Sequence, residues 1–106
     1  MPEPVFQRVA DVSEIPQGKM LCVTVADREI LICHHAEGFF AIDNVCSHAD
    51  ARLSEGRMRG HRIHCPLHGA AFDIRDGSAL TRPAVRPVAS HPVRVSDGDV
   101  MLALDG

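Results

Sequence analysis

The stretch Met20-Leu21-Cys22-Val23-Thr24-Val25-Ala26-Asp27-Arg28-Glu29-Ile30-Leu31-Ile32-Cys33-His34 decides the fold class. Two apolar, β-branched runs, residues 20–25 and 29–34, flank a short polar interruption, and that pattern signals a β-hairpin. With Asp27-Arg28 as a two-residue turn, the register sets Val25 opposite Ile30, Val23 opposite Ile32 and Cys22 opposite Cys33. Working outward, residues 5–9 read as an earlier strand and residues 38–42 as a third short one. At the far end, residues 92–95 and 100–104 flank Ser96-Asp97-Gly98-Asp99, a second hairpin signal. No segment carries the period of a long amphipathic helix. The expected fold is all-β, an antiparallel β-sandwich or barrel base.

A chain of 106 residues with 45% hydrophobic residues is long enough for one domain. Its core must rest on aliphatic side chains, because it has four Phe and neither Trp nor Tyr. Apolar runs stop at four or five residues, far short of the roughly 20 that a membrane-spanning helix needs. Residues 1–14 lack the features of a secretory signal, so a cytoplasmic location without membrane contact is expected. The net charge of −3 argues against nucleic acid, whose phosphates call for surplus Lys and Arg. One basic cluster, Arg52, Arg57, Arg59 and Arg62, is offset locally by Glu55. It reads as a solvated hairpin or as a docking surface for an acidic partner.

Residues 43–78 differ from both ends, being polar and Gly-rich, with two short strands expected at 61–65 and 71–74. This region reads as a small subdomain, 43–78, inserted into a base formed by 1–42 and 79–106. The segment 81–92, with Pro83, Pro87 and Pro92, returns the chain to the base as a stiff loop. Cys22 and Cys33 lie in apolar runs and read as buried, inert thiols. Cys46 and Cys65 stand in Cys46-Ser47-His48 and, sixteen residues further on, Cys65-Pro66-Leu67-His68. Each short loop offers one thiolate and one imidazole. Two sulfurs and two nitrogens suit either a single tetrahedral zinc or a two-iron cluster. His34, His35 and His91 read as surface or strand-end residues, and His61 and His64 lie outside the four-ligand set.

Cys46-Ser47-His48-Ala49-Asp50 and Cys65-Pro66-Leu67-His68-Gly69 resemble the two cluster-binding boxes of Rieske proteins. The likeness runs from the early strands through Phe72-Asp73 and Asp76-Gly77 to the closing hairpin. The resemblance implies one [2Fe–2S] cluster per chain, with Cys46 and Cys65 on the inner iron and His48 and His68 on the outer. Relatives from respiratory and photosynthetic complexes add a disulfide between the boxes, but Ala51 and Leu67 hold those positions here. They also carry a Ser and a Tyr that donate hydrogen bonds near the cluster, where this chain has Ala70 and Phe72. Loss of such donors places the potential toward the low end of the Rieske span of roughly −150 to +300 mV.

A terminal oxygenase needs a further iron held by two His and a carboxylate, and only His91 follows His68. The resemblance therefore implies a carrier without catalysis of its own: a monomeric ferredoxin component of a bacterial aromatic-ring-hydroxylating dioxygenase system. Its partners would be an NAD(P)H-dependent flavoprotein ferredoxin reductase and a terminal Rieske oxygenase. Ala49, Pro66, Leu67 and Gly69 would give it a small apolar tip. The alternatives are a Rieske-like small subunit of a reductase such as nitrite reductase, or a structural zinc module. Colour separates the zinc module, since zinc proteins are colourless.

Overall fold

The computed structural model describes residues 5–47, 51–66, 70–81 and 86–104. Ten strands follow in chain order: β1 (Gln7–Asp11), β2 (Met20–Val25), β3 (Arg28–His35), β4 (Gly38–Asp43), β5 (Arg57–Arg59), β6 (Arg62–His64), β7 (Ala71–Asp73), β8 (Ser90–His91), β9 (Val93–Ser96) and β10 (Asp99–Leu102). They form three antiparallel sheets, ordered β1-β10-β9, β2-β3-β4-β8 and β5-β6-β7. Among the described residues the only helical pieces are two 3-10 turns, Val12–Glu14 and Leu53–Glu55. The architecture is all-β and sandwich-like, and no closed barrel forms among the described residues. No helix there is long and apolar enough to cross a membrane.

The four-stranded sheet is the middle layer, and the alternation of its side chains divides the interior. Ile30, Ile32 and Ala41 pack with Ala10, Val100 and Leu102 of the β1-β10-β9 sheet. Leu31, Cys33 and Ile42 point the other way and pack with Ile63, Phe72, Cys46 and Cys65. Successive strand residues face opposite sides. A strand covered on both faces must therefore be apolar at every position, as Ile30 to Cys33 are.

The β2–β3 hairpin corrects the expected register. Val25 pairs with Arg28, Val23 with Ile30 and Cys22 with Leu31, two residues away from the pairing read in the sequence. The turn is Ala26-Asp27, with φ of +51° and +64°, the left-handed pair of a type I′ turn. Alanine rarely enters that region, so nothing in the side chain of Ala26 marks it as a turn residue. A slip of two residues keeps every side chain on its own face, whereas a slip of one would exchange the two cores. The second hairpin turns at Asp97-Gly98, with φ of +50° and +82°, inside the expected loop.

Other differences are local. The first strand runs over Gln7–Asp11 rather than 5–9. Arg57–Arg59 forms a strand, β5, that the sequence reading did not separate from its polar surroundings. The segment read as a stiff loop contributes β8, which pairs Ala41 with His91 and Ile42 with Ser90. Its middle, 82–85, with Pro83, lies outside the described residues.

Because Ile32 is wholly buried between two sheets, Ile32→Ala should lower the unfolding free energy by about 2–5 kcal/mol. Val95→Ala, at a half-exposed site, should change it by no more than about 0.5 kcal/mol. Urea denaturation of the two variants measures both.

Candidate metal centre

Cys46 and Cys65 each open a segment that is closed by a backbone hydrogen bond. The Cys46 N–H donates to the Ala51 carbonyl at 2.8 Å, and the Cys65 N–H donates to the Ala70 carbonyl at 2.7 Å. Each bond closes a loop onto the residue five positions on, and Val45 and Arg52 extend the first closure as an isolated bridge. His48 falls within the first closure and His68 within the second, but both lie outside the described residues, as do Ala49, Asp50, Leu67 and Gly69. The structure therefore places the two cysteines and not the two histidines.

Both cysteines are thiols, only 4% and 3% exposed, and belong to one apolar cluster with Leu53, Ile63, Ala70 and Phe72. Buried sulfur donors in apolar surroundings suit a soft, thiolate-ligated iron site. Ala70 and Phe72 are fully buried beside them, and neither side chain can donate a hydrogen bond.

Three supports of these loops escaped the sequence reading. Asn44, two residues before Cys46, is fully buried and fully used. Its amide donates to Glu29 Oε1 and Ser54 Oγ, both at 3.1 Å, and its Oδ1 accepts from the Ser54 N–H at 2.8 Å. A polar residue after an apolar strand gives no local hint of this, because its partners come from remote segments. Gly56 sits so close to the His64 carbonyl that an added Cβ would overlap it, one residue before Cys65. Ser47 Oγ donates to the Arg86 carbonyl at 2.7 Å, tying the first loop to the returning chain.

The basic cluster also resolves into parts. Arg52 leaves it for a two-pronged ion pair with Glu29, closest at 2.9 Å, and the guanidinium holds the Glu29 carboxyl below its ordinary range. Arg57, Arg59 and Arg62 remain exposed. Arg57 and Arg59 line an open cleft of about 450 Å³ with His64, Cys65 and Pro66. His91, read as a surface or strand-end residue, does end β8 but is buried there. Its Nε2 lies 2.8 Å from Asp43 Oδ1, an oxygen that also meets Arg28 at 3.3 Å. His34 is half-buried, with Nδ1 2.7 Å from the Ile15 carbonyl and its ring stacked on Phe39.

The Rieske [2Fe-2S] domain model matches residues 5–92. The chain belongs to the Rieske family. Like other members it carries one [2Fe–2S] binding motif. It is 38% identical over 91 residues to the ferredoxin component of the naphthalene 1,2-dioxygenase system of Pseudomonas aeruginosa, covering 86% of this chain and 88% of that one. Among solved structures it is similar to the ferredoxin of carbazole 1,9a-dioxygenase from Nocardioides aromaticivorans IC177. There the TM-score is 0.90 at 32% identity, over 98% of this chain and 100% of that one. It is also similar to a chain in a complex of reduced oxygenase and oxidized ferredoxin in carbazole 1,9a-dioxygenase, with TM-score 0.88 at 29% identity over 95% and 94%.

The other two thiols of this Rieske chain lie outside the loops. Burial pushes the Cys33 thiol up to about 12, and burial also raises that of Cys22, which is partly exposed. Cys33 is wholly buried and stays in the thiol form at pH 8, whereas the thiolate is the reactive one. Iodoacetamide at pH 8 should therefore leave Cys33 unmodified in the native protein and alkylate it after unfolding. Peptide mass spectrometry reads both states.

Proposed function

We propose that this Rieske chain carries single electrons from an NAD(P)H-dependent flavoprotein reductase to the terminal oxygenase of an aromatic-ring dioxygenase system. The observation that carries the reading is the match to the ferredoxin of carbazole 1,9a-dioxygenase, which covers 98% of this chain and 100% of that one. The cytoplasm, where NAD(P)H is at hand, is the proposed location.

Cys46 and Cys65 would hold the inner iron of the cluster, and His48 and His68 the outer iron. The cluster supplies a one-electron couple when bound. The chain's own part is to fix the ligands and to set their surroundings. The Cys46–Ala51 and Cys65–Ala70 hydrogen bonds hold the two ends of each cysteine-bearing segment together. Residues 43–78 act as the cluster-binding subdomain, and residues 1–42 and 79–106 as its base. Ala70 and Phe72 withhold hydrogen bonds from the site, which favours a low potential.

Purified protein should contain about two irons and two acid-labile sulfides per chain. Cys46→Ser and Cys65→Ser should each lose them, and Cys22→Ser should keep them. In a reconstituted assay, adding the holoprotein to a reductase and an aromatic-ring dioxygenase should couple NADH oxidation to substrate turnover. Support of nitrite reduction instead, with no coupling to any oxygenase, would overturn the reading.

Phe72→Tyr, with the cluster intact, should raise the reduction potential measured by protein-film voltammetry, and Ala70→Ser should add to it. No shift in either variant would show that the two positions do not reach the cluster or its ligands.

A further inference from the structure

Two hairpin turns from different sheets meet and bring together three side chains from outside the two cysteine boxes. The β3–β4 turn presents His35 and Glu37, and the β5–β6 turn presents His61. The His35 and His61 rings stack, with centroids 3.9 Å apart and an interplanar angle of 29°. His61 Nε2 lies 3.1 Å from Glu37 Oε1, and the Glu37 N–H donates to His35 Nδ1 at 3.0 Å. One donor atom from each of the three side chains lies within 4.8 Å of the other two. None of the three belongs to the Rieske boxes.

We propose that His35, Glu37 and His61 form a second metal site, one that takes a zinc-like divalent transition ion. Two imidazoles and a carboxylate are a donor set for zinc and its neighbours, and not for magnesium or calcium, which favour oxygen alone. Zinc sits about 2.0–2.2 Å from such donors, so tetrahedral neighbours stand roughly 3.3 Å apart. The His61–Glu37 pair already meets that spacing. Water completes the coordination, as it does where the protein supplies three ligands.

The electrostatics agree. The Glu37 carboxylate is the only formally charged group of the three, and it lies against His61. A metal dication would balance that charge. Arg75 is held by Asp73, 2.7 Å between Nη2 and Oδ2, so its guanidinium reaches Glu37 through its charge and not through an ion pair. The bound ion would staple the middle sheet to the sheet that leads into Cys65. Metal that binds only the folded state raises stability by mass action.

The test uses tag-free holoprotein, titrated with zinc chloride by calorimetry and melted with and without zinc, while visible absorption monitors the cluster. The expected result is one saturable equivalent of zinc and a higher melting temperature, with cluster colour unchanged. His61→Ala and Glu37→Gln should each weaken zinc binding by about tenfold or more, since even second-shell changes cost 10- to 100-fold. Retained colour and a cooperative melt establish that each variant is folded. Absence of saturable zinc binding would overturn the proposal, as would binding unchanged in both variants or an equal response to magnesium.

Discussion

The side chains of β3 from Ile30 to Cys33 are all buried, and they point alternately into two cores that share no residue. Most antiparallel strands keep one wet face and tolerate polar residues there. This one has none to spare. Each core also draws on β2 and β4 in the same alternation, so the middle sheet acts as a common wall. On one side it closes the β1-β10-β9 layer, and on the other it backs the two cysteine loops. Any shift of β3 by one residue would place Cys33 and Leu31 in the wrong core and remove the floor beneath Cys46 and Cys65.

The cysteine loops add a second constraint. A buried backbone N–H must find an acceptor, and each cysteine N–H finds it five residues on, in the loop it opens. That arrangement satisfies the donor and holds the loop's two ends together. Asn44 extends the principle to side chains, joining the end of β4, the base of Glu29 and the 3-10 turn at Leu53–Glu55 through one fully buried amide. With both carbonyl and amide partnered, burial of this polar group carries no unpaired cost.

The hairpins and the division of faces were legible because alternation and turn residues are local signals. The register of the first hairpin was not, because Ala26 occupies a backbone region that its side chain gives no reason to expect. Strand β5 was hidden for a different cause: Arg57 and Arg59 face water, so only Met58 reports the alternation. The burial of His91 at the end of β8 was not legible, because its carboxylate partner Asp43 lies 48 residues away. The cysteines and histidines of the boxes stood out by spacing alone. The contacts that hold those boxes, from Asn44, Gly56 and Ser47, join segments far apart in sequence, and no short motif encodes them.

The outer face of β5 and β6 completes the electrostatic account. Register pairs Arg57 with His64 and Arg59 with Arg62, so all four side chains share the side opposite Met58 and Ile63. Arginines directly opposite one another repel, and folding accepts that cost only because the charges are exposed and screened. Arg8, Arg28, Arg52 and Arg75 all have carboxylate partners, but no ion pair forms at Arg57, Arg59 or Arg62 among the described residues. The chain is negative overall, yet the surface beside Cys65 is basic. Exposed charges of this kind act more on the rate of encounter than on the lifetime of a complex.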